Sequence, residues 1–152
     1  MIRVISGFLF IHLFHFGIGQ EGSSPVKKPD SDKIAILKKI QFEKNTRYFN
    51  LSDSEFLLID EILQRCLDEY NRGRDSSAND FIKVDRYRRQ YIPFIKDGQK
   101  YVWANFFCAS IEDHKNWKKK PVLVFDGGAC YFRITINLSK SRFFNFYVNG
   151  LG

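Results

Sequence analysis

A single amphipathic helix followed only by period-two segments is the pattern that most limits the folds open to this chain. Ser52-x-x-Glu55 is a capping box, in which each side chain bonds the other residue's backbone N–H. Leu51 and Phe56 flank it as a hydrophobic staple. Phe56, Ile59, Leu63, Cys66, Leu67 and Tyr70 then recur at helical spacing. Asp53 and Glu55 suit the positive end of the helix dipole. Glu61 and Arg65 form a favourable i,i+4 pair, and Gly73 is a natural stop. The pattern predicts a helix over 53–71 whose apolar stripe needs a sheet to lie on.

After the polar 73–80 loop the period changes to two. Phe81 to Ile95 reads as a long strand, weakened near Pro93. Asp97-Gly98 is a hairpin turn, and Tyr101 to Cys108 is the returning strand. Residues 110–121 form a basic, polar loop containing Trp117. Strand pattern resumes at Val122 and runs through Gly127-Gly128 to about Leu138. Ser139-Lys140-Ser141 turns the chain into a last strand, Arg142 to Val148. Upstream, Ile34, Ile36, Ile40 and Phe42 alternate as in a strand, although Ile34/Leu37/Ile40 also suits a short helix. This order predicts one α+β domain over 34–150. One helix would pack on a curved antiparallel sheet of four to five strands.

Asp126-Gly127-Gly128 admits two readings: a tight turn between two short strands, or a bulge within one long strand. The bulge is preferred because 122–125 alone is very short. It places Cys108 and Cys130 too far apart for a disulfide, whose Cα atoms approach within about 7 Å. The turn reading makes them neighbours, so no bridge is assigned.

NTRYFNLSDSE entering the helix, RQYIPFI, and VFDGGACYFRITIN with the later FYVNG resemble small exported bacterial proteins of unassigned function with a cystatin-like fold. The resemblance spans roughly residues 34 to 150. It implies the strand–helix–meander order and nothing about protease inhibition. Inhibitory cystatins carry Gln-x-Val-x-Gly in the first hairpin and Pro-Trp in the second. Here the first hairpin reads Ile95-Lys96-Asp97-Gly98-Gln99-Lys100, and Trp117 follows Asn116. Neither motif matches.

The N-terminus carries an address. Met1-Ile2-Arg3 is followed by the apolar stretch Val4 to Phe16, then by Gly17-Ile18-Gly19. That is the layout of a secretory signal peptide over 1–19, cleaved near Gly19. The apolar run is near 15 residues, short of the about 20 that span a bilayer. No cysteine precedes Cys66, which excludes a lipid-anchored export signal. Residues 20–33, rich in Ser, Pro, Gly and Lys, read as a flexible tether. The expected location is secreted or periplasmic, with no membrane span after cleavage.

The full chain carries 24 Lys+Arg, 17 Asp+Glu and a net charge of +7, which falls to +6 when Arg3 is removed. A basic exported domain suits anionic glycans or acidic proteins, and export argues against nucleic acid. Cleavage removes His12 and His15, leaving His114 in a polar loop, where it reads as solvated. One histidine excludes a two-histidine metal site. Cys66 and Cys108 read as core residues. The carboxylate pairs Asp60-Glu61, Asp68-Glu69 and Glu112-Asp113 are adjacent in sequence and do not face each other on a helix. Asp126 lacks the other ligands of a calcium loop. No catalytic signature, metal or cofactor is expected.

The informative signal is a face. One register gives Val102/Ala104/Phe106/Cys108, Phe132/Ile134/Ile136/Leu138 and Phe144/Phe146/Val148, which should meet the helix. The other gives Tyr101/Trp103/Asn105/Phe107, Tyr131/Arg133/Thr135/Asn137 and Phe143/Asn145/Tyr147, joined by Tyr87, Arg89 and Tyr91. One helix cannot cover both faces, so the second is expected to be exposed. Strand propensity alone explains many of its rings. Aromatics with Arg also mark protein interfaces, including homodimers, and rings with amides suit a sugar or small-ligand groove. The candidate binding face is Tyr101, Trp103, Asn105, Tyr131, Arg133, Asn137, Asn145 and Tyr147. The expected function is a non-catalytic binding domain with a protein or glycan partner. The alternative is a pocket protein or enzyme on a cone-shaped NTF2-like fold.

Overall fold

The computed structural model describes residues 32–38 and 44–150. The expected signal peptide lies wholly outside the described residues, as do most of the tether and the 39–43 part of the first expected strand. The elements are β1 (Ile34–Ile36), β2 (Arg47–Tyr48), α1 (Asp53–Asn71), β3 (Tyr87–Lys96), β4 (Gln99–Cys108), β5 (Tyr131–Asn137) and β6 (Arg142–Val148). The protein is α+β: among the described residues, one α-helix lies on a six-stranded mixed sheet in the order β1-β3-β4-β5-β6, with β2 also pairing to β3.

The helix forms where its local signals place it. Glu55 N donates to Ser52 Oγ at 3.3 Å and Ser52 N donates to Glu55 Oε2 at 2.8 Å, the reciprocal bonds of the capping box. Ile59, Ile62, Leu63, Cys66 and Leu67 are buried along its inward face. The Glu55 carboxylate also receives Lys100 Nζ at 2.7 Å, which ties the start of the helix to the β3–β4 hairpin.

β1 departs from expectation. It runs parallel to β3, pairing Ile34 with Arg89 and Ile36 with Tyr91, so the sheet is not wholly antiparallel. β2 pairs antiparallel with β3 further along, at Phe94 and Ile95. Pro93, which has no N–H to donate, falls between these two pairings, where a strand tolerates it.

The β3 register also differs. The two-residue turn at Asp97-Gly98 pairs Lys96 with Gln99, and the ladder then sets Tyr91 opposite Ala104 and Tyr87 opposite Cys108. Opposed residues share a face. Tyr87 and Tyr91 therefore enter the helix-side core, and Arg89 lies on that side too, bonded to Asp60 of α1 at 3.0 Å. Burial pushes both tyrosine hydroxyls up to about 12. Ile92 and Phe94 turn to the second face instead.

The helix-side core contains Val102, Ala104, Phe106, Phe132, Ile134 and Ile136, all essentially inaccessible. Phe106 and Phe132 stack across β4 and β5 with centroids 4.2 Å apart. In β6 the pairing shifts between Arg133 and Thr135. The shift coincides with Asn145, which is held at φ 52, the left-handed conformation that one class of bulge uses. Its consequence is a swap: Phe143, not Phe144, packs on the core with Phe146 and Val148.

The stretch from Val122 through Gly128 is not strand. β5 begins only at Tyr131, after a short 3-10 turn over Gly128–Cys130. Gly127 and Gly128 adopt φ of 84 and 57, so the chain turns here as one of the two readings expected, but the turn is entered from a loop and not from a short strand. Cys130 then lies beside Cys108, with Cα atoms 4.9 Å apart and the two sulfurs bonded. Cys66 is free and buried. Burial, then the nearby Glu69 charge, pushes its thiol up to about 12. It is a protonated core residue at neutral pH.

Candidate functional site

The second face of the sheet is half covered. The 109–127 loop leaves β4 at Cys108 and folds back over it. Ala35, Leu37, Ile92, Phe94, Trp103, Phe107, Trp117 and Val122 form a second buried cluster beneath and beside this loop. The expectation of an open face fails here because a loop, and not a second helix, provides the cover.

Two amides fasten the loop. Gln90 of β3 and Asn105 of β4 are directly paired, and Asn105 Nδ2 donates to Gln90 Oε1 at 3.0 Å. Val122 N donates to Gln90 Oε1 at 2.8 Å, and Asn105 Nδ2 donates to Val122 O at 2.7 Å. Gln90 Nε2 further donates to Lys120 O at 2.7 Å and to Trp117 O. Buried polar groups are retained when they are paired in this way. Asn105, read from sequence as a recognition residue, is spent on the protein's own backbone.

Two other expected site residues are structural. Asn137 is fully buried; its Nδ2 donates to Gln99 Oε1 at 2.8 Å and its Oδ1 accepts from Lys140 N at 3.0 Å. It caps the turn between β5 and β6. Tyr131 is half-buried, with its hydroxyl 3.1 Å from His114 Nε2. Burial, followed by the charges of Asp126 and Asp113, raises its pKa. His114 is not a solvated loop histidine. Its ring lies edge-on to Phe107, with centroids 5.2 Å apart, and it helps seat the loop.

The other half of the face stays open. A groove of about 440 Å³ runs there, lined by Phe94, Lys96, Asp97, Tyr101, Trp103, Arg133, Thr135, Phe144 and Asn145. Four of the expected face residues meet in it: Tyr101, Trp103, Arg133 and Asn145. Trp103 is only 5% exposed and serves as floor. Tyr101 stacks on Phe94 with centroids 5.3 Å apart and planes 13° apart, and Phe144 meets Tyr101 edge-on. Arg133 lies 4.4 Å over the ring of Tyr147, which holds the guanidinium at the groove's margin. Tyr147 itself is 47% exposed. The sequence reading missed Phe94, Lys96, Asp97 and Phe144. Counting outward from the two-residue hairpin would have found the first two.

The groove combines flat rings for stacking, an Arg and a Lys, one carboxylate and a few hydroxyl and amide groups. Groups of these kinds can stack on flat rings and form charge-assisted hydrogen bonds to polar or anionic atoms. Among the described residues, no group of three or more His, Cys, Asp or Glu side chains is arranged to hold a metal ion. No described helix is long and apolar enough to cross a membrane. Comparison with protein-family models, curated proteins and solved structures finds no match.

Proposed function

We propose that this chain is an exported, non-catalytic binding domain whose recognition site is the open groove on the second sheet face. The observation that carries the reading is the convergence of Tyr101, Trp103, Arg133 and Asn145 on one groove, where stacking rings sit beside a guanidinium that is already oriented. Preorganised aromatic and Arg groups are what a binding site needs if its affinity is not to be lost in ordering side chains. A polar or acidic glycan, or an acidic protein segment, matches the groove and the basic balance of the chain.

Three further observations support this reading. The Cys108–Cys130 bridge suits an oxidising compartment, as does the leader-like N-terminus. The helix-plus-meander core is the part that resembles cystatin-like proteins, although the parallel β1 is a departure. The helix side of the sheet is filled by Tyr87, Tyr91, Phe106 and Phe132, which disfavours the NTF2-like alternative of a ligand between helix and sheet.

The test is a glycan array and a pull-down run with the wild-type protein and a folded Tyr101→Ala/Arg133→Ala variant. The reading predicts that the variant loses the ligands that the wild type captures. A variant that retains all of them overturns it.

A further inference from the structure

Leu123 and Phe125 are 63% and 87% exposed, in the loop that covers the second face. They alternate with the buried Val122 and the half-buried Val124, which turn inward onto the sheet. The backbone beneath them is fixed on the inward side. Gln90 and Asn105 hold the N–H and carbonyl of Val122. Asn149 Nδ2 donates to Val124 O at 2.7 Å and to Asp126 O at 2.8 Å. The two apolar side chains are thus held outward by the sheet itself.

The same loop is cationic. Residues 115–125 include Lys115, Lys118, Lys119 and Lys120, all exposed, and no carboxylate. The nearest acidic residues in the chain, Glu112, Asp113 and Asp126, lie just outside that stretch. A shallow depression of about 490 Å³ separates cations from apolar tip, lined by His114, Lys115, Lys120 and Leu123 together with Asp113.

We propose that this loop docks on the surface of an anionic phospholipid bilayer. Leu123 and Phe125 enter the boundary between headgroups and acyl chains, while the lysines meet lipid phosphates. Apolar insertion and attraction of clustered Lys to anionic headgroups are the two forces that hold proteins at such an interface. A protein partner fits less well. Stable protein interfaces bury about 800 Å² on each side, and two apolar side chains on a lysine-rich loop fall well short of that. The loop covers the half of the face nearer the disulfide, so a docked domain leaves the groove by the β3–β4 hairpin open. The inference does not depend on what the groove binds.

The test uses the full chain with phosphatidylcholine vesicles, with or without phosphatidylglycerol. Phe125→Trp is the probe, because brominated lipid quenches a tryptophan at the tip only if the tip inserts. Its emission is expected to shift to the blue and be quenched on the anionic vesicles alone. Lys118→Ala/Lys119→Ala/Lys120→Ala should weaken vesicle binding on the order of a hundredfold, at about fivefold per lysine. Leu123→Ser, measured in the Phe125→Trp background, should weaken it about tenfold, and the buried clamp keeps the loop folded. A tip tryptophan that stays unquenched, or equal binding to neutral vesicles, overturns the proposal. So does an acidic protein that shields this tryptophan when vesicles do not.

Discussion

Gln90 and Asn105 face each other across β3 and β4, amide to amide at 3.0 Å, and together hold the backbone of the loop that crosses above them. This pair sets where the second face is covered and where the groove begins. A buried amide that loses its partner leaves the remaining groups unsatisfied, at about 1–3 kcal/mol each. Gln90→Met keeps the volume and removes the bonds. It should lower stability by about 2–3 kcal/mol and speed hydrogen exchange at the Val122 amide, while the helix amides keep their protection. An unchanged Val122 exchange rate would show that the loop is held by its apolar contacts alone.

The disulfide closes the same loop at its base. Cys108 and Cys130 are 22 residues apart, and linking them stabilises the fold by about 3 kcal/mol in the chain-entropy account. Cys108→Ser/Cys130→Ser should be less stable by about that amount, melt at a lower temperature, and loosen the loop before the sheet. Alkylation of the denatured, unreduced protein should label one thiol per chain, Cys66, and labelling after reduction should reach all three. Three reactive thiols without reductant would contradict the bridge.

Gly127 is held at φ +84 with the Tyr131 ring against it; an added Cβ would lie 2.7 Å from that ring. Gly127→Ala therefore combines backbone strain with a clash, at about 1–3 kcal/mol. Thermal unfolding of Gly127→Ala beside Gly98→Ala separates the two effects, because Gly98 has a similar φ and open space around it. The Gly127 variant should be the more destabilised; equal losses would remove the Tyr131 contact from the account.

Burial pushes the Glu55 carboxyl up, but the Lys100 ammonium and the Ser52 bonds outweigh that and hold it below its ordinary 4.5. A carboxylate lowered in the folded state adds stability above its unfolded pKa and loses it as pH falls through the folded one. Glu55→Gln should therefore be less stable than wild type at neutral pH, with the gap closing in acid. Urea midpoints of both proteins across the acid range check this; a gap independent of pH would assign the effect to the cap's geometry alone.

Much of this architecture was legible in the residues. The helix is marked by a capping box, a staple and an apolar stripe, all local signals, and it forms over 53–71 as they predict. The hairpin at Asp97-Gly98 was equally plain. Its two-residue length also determines which β3 residues share a face with Trp103: Ile92 is paired with it, which puts Tyr87, Arg89 and Tyr91 on the helix side and not on the second face expected from the pattern alone. The 122–128 stretch was not legible. Its alternation of inward valines and outward Leu123 and Phe125 copies a strand. Its backbone, however, is satisfied by the side chains of Gln90, Asn105 and Asn149, which are 17 or more residues away in the chain. The bulge at Asn145 was hidden for a related reason: one left-handed residue exchanges the faces of Phe143 and Phe144 without altering the pattern of apolar residues. The candidate face is therefore divided between two places in the fold. Tyr101, Trp103, Arg133 and Asn145 meet in the groove, while Asn105 and Asn137 serve the fold.

The most direct test of the groove as a recognition site needs no known partner. Amide chemical shifts of the labelled protein can be followed against a library of small sugars, acidic sugars and carboxylates. The shifts should cluster at Phe94, Lys96, Tyr101, Arg133 and Asn145, be strongest for acidic sugars, and vanish in Arg133→Ala. Shifts centred on any other surface, or unchanged in Arg133→Ala, would contradict the account.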